Sequence, residues 1–167
     1  MRLKLICCLL LWKTVAIAQD TAIPGMSDSS LLFVDSVESK QGLAGLDPRQ
    51  IALINIVKGA KLREKFGPRG ADGVIYVETI PFARRRYTKM FSDISASYAR
   101  ALKQYGTDSA FQYILDGSVL TQSVEQMLAA LEKGTIGSID VIQPKVLKEQ
   151  YEVEGKQLGV IIRSRVK

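Results

Sequence analysis

The chain has 167 residues, a length that fits one medium domain or two small ones. Hydrophobic residues make up 47% and charged residues 24%, a balance that argues against wholesale disorder. The 23 Lys and Arg residues against 17 Asp and Glu give a net charge of +6. Histidine is absent, which excludes His-based acid–base chemistry, Ser-His or Cys-His nucleophile pairs and His-ligated metals.

The first eighteen residues have the pattern of a secretory signal peptide. A basic start at 1–4 precedes an apolar run at 5–12, and Ala16 and Ala18 form a small-residue cleavage pattern. The apolar run is too short to span a bilayer. We expect cleavage after Ala18, with an uncleaved anchor or a buried first helix as the alternative. Cleavage removes both cysteines and three basic residues, which leaves 20 basic against 17 acidic residues, a net charge of +3.

A polar leader at 19–30 is expected to be flexible, and an internal repeat organises the rest of the chain. Adding 85 to positions 43–70 pairs eight identical residues in 28 positions, where average composition would give about two. The identical residues in the first copy are Leu43, Ala44, Leu46, Ile51, Ile54, Leu62, Glu64 and Gly70. Upstream an offset of 81 pairs 33–35 with 114–116, and downstream an offset of 86 pairs 73–75 with 159–161.

Both copies read as short strands separated by short helices. In the first copy, apolar and β-branched runs predict strands at 31–35, 51–58 and 74–79, with a helical turn opened by Asp47 and Pro48 and a helix at 61–66. In the second copy, we predict strands at 111–116, 136–142 and 160–165, with helices at 123–132 and 145–151. The predicted fold class is α+β, with two βαβαβ pseudo-repeats, 31–82 and 108–167, each with a small mixed sheet.

A single amphipathic helix at 83–107 is expected to join the two repeats. Its apolar stripe has spacings of three and four residues, formed by Phe91, Ile94, Tyr98, Leu102 and Tyr105. We expect the stripe to pack against the sheets, with a groove for a partner helix as the alternative. Arg84, Arg85 and Arg86 form a compact basic run at its start, where they oppose the helix macrodipole.

One segment of the first repeat resembles a known family. Ile54-Asn55-Ile56-Val57-Lys58-Gly59-Ala60, followed by Lys65-Phe66-Gly67-Pro68-Arg69-Gly70-Ala71-Asp72-Gly73-Val74-Ile75-Tyr76-Val77, is similar to the plug domain of TonB-dependent outer-membrane receptors of the Bacteroidetes type. Phe33-Val34-Asp35 and Leu115-Asp116-Gly117 look like the strand that opens such a plug. The resemblance implies two plug-like repeats, a place in the envelope and a role related to receptor-mediated uptake.

The chain departs from the family pattern at several places. Ser36 stands where a glycine is expected, Asp72 where asparagine is usual, and Gln143-Pro144 replaces Lys-Gly in the second copy. Beyond the two repeats we find no series of amphipathic strands, so we expect plug-like repeats without a β-barrel. The resemblance therefore implies a fold and a compartment, the periplasm or the periplasmic face of the outer membrane, rather than transport by this chain alone.

Candidate site residues follow from the turn and from the basic run. Arg69 and Asp72 are candidate binding residues at the tip of the glycine-rich turn, and Arg84, Arg85 and Arg86 are candidates for docking. Five glycines are expected to have a structural role in turns: Gly67, Gly70, Gly73, Gly155 and Gly159. A weak divalent-cation site formed by Asp116, Glu152 and Glu154 is a minor alternative, and we expect no metal, no cofactor and no catalytic residue.

The expected function is that of a non-enzymatic, exported binding or interaction module, accessory to uptake through an outer-membrane receptor. The alternative is a periplasmic structural or adaptor protein that docks on another envelope protein through its basic linking helix. An envelope hydrolase built from Asp, Glu or Lys is a third class. The expected partner is an envelope protein, with an outer-membrane receptor as the candidate implied by the resemblance. Peripheral membrane contact and the oligomeric state stay open, and nucleic acid is not expected because the chain is exported.

Overall fold

The computed structural model describes residues 30–165, so the expected signal peptide and the leader up to residue 29 lie outside the described residues. The first unit contains four strands and one α-helix: β1 (Leu31–Val34), β2 (Val37–Glu38), β3 (Ile51–Val57), α1 (Ala60–Phe66) and β4 (Val74–Thr79). Two helices follow it, α2 (Ile80–Ile94) and α3 (Ala96–Tyr105). The second unit contains β5 (Phe111–Leu115), β6 (Ser118–Val119), α4 (Val124–Ala129), β7 (Ile136–Ile142), α5 (Pro144–Tyr151) and β8 (Leu158–Ser164).

The two units have the same topology. Each forms its own four-stranded sheet, with the order β2-β1-β4-β3 in the first and β6-β5-β8-β7 in the second. In each sheet the two central strands are parallel, and both outer pairings are antiparallel. The predicted α+β fold of two pseudo-repeats with mixed sheets is therefore confirmed, and the units do not share one sheet.

Strand register corrects one part of the predicted repeat. Val57 lies opposite Val74 in the first sheet, and Ile142 lies opposite Gly159 in the second. Each residue of the second pair therefore lies 85 positions after its counterpart in the first pair. The predicted change of offset to 86 is wrong. The role predicted for Gly159 in a turn is wrong as well, because this residue is buried inside β8. A Cβ at Gly159 would lie 2.6 Å from Ile142 Cγ1, so glycine is needed there for packing.

An aspartate anchors the parallel strands of each unit in the same way. Asp35 follows β1 with a φ of 49°, and its carboxylate accepts hydrogen bonds from Thr79 N and Thr79 Oγ1, both at 2.8 Å. Asp116 follows β5 with a φ of 48° and accepts from Ser164 N at 2.7 Å and Ser164 Oγ at 2.6 Å. The bonds from Ser164 lower the pKa of Asp116. Each aspartate thus ties the end of one central strand to the end of the other.

The linking helix is broken into two, which corrects the prediction of a single helix. Ser95 has extended backbone angles, φ −127° and ψ 112°, between α2 and α3. Its N–H donates to Phe91 O at 2.8 Å, and its hydroxyl accepts from Tyr98 N at 3.3 Å. Ser95 therefore ends one helix and begins the next, a role for which a serine hydroxyl is well suited.

The apolar stripe of α2 and α3 packs on one face of the second sheet. Phe91 and Tyr98 are fully buried there, and Ile94, Leu102 and Tyr105 are partly buried against the same cluster. The other face of that sheet is covered by α5 through Leu147. In the first sheet, α1 covers one face, and loop residues such as Leu43 and Leu46 pack on the other.

Three alanines form the joint between the two units. Ala52 of β3, Ala83 of α2 and Ala129 of α4 are all buried in one cluster. Small side chains allow these three elements to approach closely, so α2 contacts both units at this point.

The glycine-rich connection between α1 and β4 is a tight turn. It begins with a short 3-10 helix, Gly67–Gly70, and Gly67 and Gly73 have φ values of 63° and 106°. Such angles favour glycine, in agreement with the predicted turn. At Gly70 glycine is needed for a different reason, the lack of space: a Cβ there would lie 2.5 Å from the backbone oxygen of Leu62.

The close approach at Gly70 makes a direct stability prediction. Gly70→Ala should lower the free energy of unfolding by about 1–3 kcal/mol, because the clash is with backbone that cannot rotate away. Gly134→Ala is the matched control: it has open space around its Cβ position, so we expect a change of at most about 1 kcal/mol, in the stabilising direction. Urea unfolding of both variants measures the difference, and equal stabilities would contradict the role given to Gly70.

Candidate functional site

The tip of the glycine-rich turn exposes both of its candidate binding residues. Arg69 and Asp72 are exposed, whereas Gly70 and Gly73 between and beside them are buried. The Arg69 guanidinium forms an ion pair with Glu38 of β2, so the turn is tied to the far edge of the first sheet. The structure therefore presents Arg69 and Asp72 on a short connection with a closely packed backbone.

The three consecutive arginines of α2 do not form one basic surface. Arg84 Nη2 lies 2.7 Å from Glu125 Oε1 of α4, and Arg86 Nη2 lies 2.8 Å from Glu78 Oε2 of β4. Arg86 also donates to Ala129 O at 2.6 Å, which connects β4 to α4 across α2. Only Arg85 is exposed, with its guanidinium 5.7 Å from the centre of the Phe82 ring. Two of the three candidate docking residues are thus engaged within the fold, and Arg86 connects the two units.

A buried carboxylate near these arginines gathers the main polar cluster of the second unit. Asp108 is 4% exposed, and its Oδ2 accepts from Tyr87 OH at 3.0 Å and Tyr113 OH at 2.9 Å. Its Oδ1 lies 3.5 Å from Arg84 Nε. Tyr98 OH lies 2.9 Å from Tyr113 OH, which extends the network into the core. Buried polar groups need such partners, and this cluster supplies them.

Burial raises the pKa of Tyr87, Tyr98 and Tyr113 above the ordinary value of a tyrosine, and the charge of Asp108 contributes in the same direction. All three phenols therefore stay protonated near neutral pH and act as hydrogen-bond donors rather than as bases. The cluster can orient a polar group, but these tyrosines cannot supply a phenolate nucleophile under those conditions.

A cavity of about 320 Å³ opens beside this cluster. Its wall combines Arg84, Glu125 and Asp108 with Gln112 of β5 and the half-buried Lys156 from the loop before β8. Lys156 makes no ion pair with a carboxylate of residues 30–165. The mixture of charged, amide and hydroxyl groups suits a small polar molecule better than an apolar one.

Sequence reasoning missed most of this site. Asp108, Glu125 and Gln112 were not among the predicted residues, since no local motif connects β5 with α2 and α4. A signal did exist in the helical stripe, where Tyr98 occupies a core position. A buried tyrosine hydroxyl needs a partner, so a tyrosine in an apolar stripe predicts a polar group within the core.

The minor cation site predicted at Asp116, Glu152 and Glu154 is not assembled. Both carboxylate oxygens of Asp116 accept hydrogen bonds from Ser164, and Glu154 pairs with Lys148 at 2.8 Å. Among residues 30–165, no group of three or more Cys, Asp or Glu side chains has an arrangement that could hold a metal ion. In the same part of the chain, none of the helices is both long and apolar enough to cross a bilayer.

Comparison of the chain with family models, with curated proteins and with solved structures finds no match. The resemblance to the plug domain therefore depends on the residues and motifs quoted above.

The three arginines offer a matched test of the joint. Arg86→Lys should lower the free energy of unfolding by about 1–2 kcal/mol, because an ammonium cannot keep both the bond to Glu78 and the bond to Ala129 O in the same geometry. Arg85→Lys should change it by less than about 0.5 kcal/mol, since Arg85 is exposed. Urea unfolding compares the two variants, and equal losses would contradict the role of Arg86.

The buried tyrosines predict a loss of stability in alkali. Their folded-state pKa values are raised, so the native state keeps protons that the unfolded chain releases above about pH 10. The free energy of unfolding should be unaffected by these groups below that pH and should fall as the pH rises above it. Tyr113→Phe removes one such phenol and should make the fall shallower. Urea unfolding between pH 8 and 11 measures the slopes, and an unchanged slope would contradict the assignment.

Proposed function

We propose that this chain is a non-enzymatic binding and interaction module of the TonB-receptor plug type. In this proposal it is exported to the periplasm or the periplasmic face of the outer membrane and acts as an accessory to receptor-mediated uptake. The observation that carries the proposal is the exposed tip at 67–73, where Arg69 and Asp72 stand on a turn in which Gly70 and Gly73 are closely packed. A rigid, exposed loop lowers the ordering cost of binding, which suits a recognition surface.

The order of elements in the first unit supports the same proposal. A strand that ends at Asp35, an isoleucine-rich strand, a helix that begins after Gly59, the glycine turn and a final Val-Ile strand follow one another in the order that the resemblance implies. The second unit repeats the framework, including the aspartate anchor, but its helix α5 is followed by exposed acidic residues rather than a glycine turn. The proposal therefore assigns recognition to the first unit.

The alternative, an adaptor that docks through the basic linking helix, has weaker support from the geometry. Arg84 and Arg86 are engaged within the fold, so only Arg85 among the three is available to a partner. A docking surface that depends on this helix would have to use Arg85 together with neighbouring exposed residues such as Lys89, which itself pairs with Asp93 at 2.8 Å.

Fractionation with co-purification tests the proposal and separates it from the alternative. The full chain with a C-terminal tag is expressed in a bacterium with two membranes, and the envelope fractions are washed with and without high salt before capture. We expect the protein in the periplasm or with the outer membrane, together with a captured outer-membrane receptor. Substitution of both Arg69→Ser and Asp72→Ser should reduce recovery of that receptor by about tenfold or more, the equivalent of 1.4 kcal/mol.

Arg85→Ser is the discriminating variant, and Arg100→Ser, an exposed cation on α3, is the matched control. The proposal predicts that both variants recover the receptor as the wild type does. Loss of the partner in Arg85→Ser alone would favour the adaptor alternative, and recovery of the chain only from the cytoplasm, with residues 1–18 still attached, would contradict export.

A further inference from the structure

The two sheets end in edge strands that are protected very differently. Strand β3 is the edge of the first sheet, and β7 occupies the same place in the second. β7 carries Asp140, which forms a cross-strand ion pair with Arg163. The equivalent residue in β3, 85 positions earlier, is the neutral Asn55, and β3 contains no charged residue and no proline along its seven residues. Charges on an edge strand discourage pairing with another chain, so β3 lacks a protection that β7 has.

The apolar side chains of β3 are also more exposed than those of β7. Ile54 and Ile56 of β3 are 44% and 42% exposed, whereas Ile139, the counterpart of Ile54, is 5% exposed under the helical layer of the second unit. Helix α4 packs on the beginning of β3, where Gln126 Nε2 lies 3.5 Å from Ile51 O and Ala52 packs on Ala129. The segment 129–132 lines a pocket together with Leu53, Ile54 and Asn55, and residues 54–56 stay exposed beside it. Over residues 30–165, no further strand pairs with the outer side of β3.

The direction of the backbone groups follows from the neighbouring strands. Leu31 N donates to Gly73 O and Asp35 N donates to Val77 O, so the odd-numbered residues of β4 bond toward β1. The even-numbered residues bond toward β3, and Tyr76 is the partner of Asn55. Because bonding alternates along a strand, Asn55 bonds inward, while the N–H and C=O groups of Ile54 and Ile56 point to the open edge.

We propose that β3 pairs with β3 of a second copy of this chain, antiparallel and about a twofold axis at Asn55. The residues 53–57 read Leu-Ile-Asn-Ile-Val, an apolar pattern that is the same in both directions. With this register, Ile54 and the partner's Ile56 exchange both backbone hydrogen bonds, and Asn55 stands opposite the partner's Asn55. The first sheet of one copy then continues into the first sheet of the other, which gives one sheet of eight strands. The interface consists of the same patch on both copies.

The geometry of an antiparallel pair makes this register self-consistent. The outward-pointing backbone groups belong to Ile54 and Ile56, and these are the residues that the twofold axis brings together. Asn55 falls in the closely spaced pair without backbone hydrogen bonds, with Cβ atoms about 4.5–5.5 Å apart, a distance at which two amides can bond to each other. On the opposite face, the four isoleucines of the two copies cover one another. The short pairing predicts a weak, concentration-dependent dimer, smaller than a standard interface.

Sedimentation velocity of residues 19–167, which include every described residue, tests the dimer over a range of concentrations. We expect a dimer fraction that rises with concentration in the wild type and is lost in Asn55→Asp, because two carboxylates would then face each other across the axis. The substitution copies the residue that the second unit has at this place. Asn55 is exposed, so the thermal midpoint of the monomer should be unchanged, and Asp140→Asn should dimerise as the wild type does.

Cysteine pairing gives an independent readout, because residues 19–167 contain no cysteine. Asn55→Cys places two thiols across the axis with a Cα separation of about 4.5 Å, within the range that a disulfide bridges. Under mild oxidation we expect a covalent dimer for Asn55→Cys and at least tenfold less for Asp140→Cys, the matched position in β7. A wild type that stays monomeric at every concentration, a dimer that persists in Asn55→Asp, or equal cross-linking at the two positions would overturn the proposal.

Discussion

The joint made by helix α2 is the constraint on which the rest of the structure depends. Ala83 meets Ala52 of the first unit and Ala129 of the second, and no larger side chain would allow the three backbones to lie so close. Arg86 then connects Glu78 with Ala129 O across the rim of that contact. A four-stranded sheet with a single helix on one face buries little apolar surface, so each unit gains further burial from the elements that meet at this joint.

The two units share a framework but differ in what covers it. The aspartate anchors at Asp35 and Asp116, the strand order and the irregularity at the start of β3 and β7 are the same in both. The second sheet has a layer of helices on each face, and its core holds the Asp108 network and the cavity beside it. The first sheet has loop residues in place of the helical layer and keeps an apolar edge exposed. The duplicated framework therefore supports two different kinds of surface.

The two units offer different surfaces, and both surfaces are compatible with the binding module that we propose. The first unit presents its charged tip at 67–73 and its open edge at β3, both of which suit contacts with other chains. The second unit is closed by the aromatic stripe of α2 and α3, and its concave polar surface is of a size for a small molecule. Of the three arginines of α2, Arg84 pairs with Glu125 in the wall of that cavity and Arg86 pairs with Glu78 at the joint, so neither is free for a separate basic docking surface.

The sequence by itself determined the repeat, the strands β4 and β7 to the residue, the cap at Asp47 and the glycine turn, because each follows from local periodicity, capping or backbone freedom. It also identified the stripe of α2 and α3, but not the break at Ser95, since one extended residue leaves the apolar spacing almost unchanged. Only the tertiary structure decided which of the three arginines are engaged within the fold, where Gly159 is packed, and which side chains form the polar network at Asp108. Those features depend on which groups meet in the folded chain. The backbone oxygen of Ala129, which accepts from Arg86, lies 43 residues away in sequence, and a partner at that distance leaves no trace in local pattern.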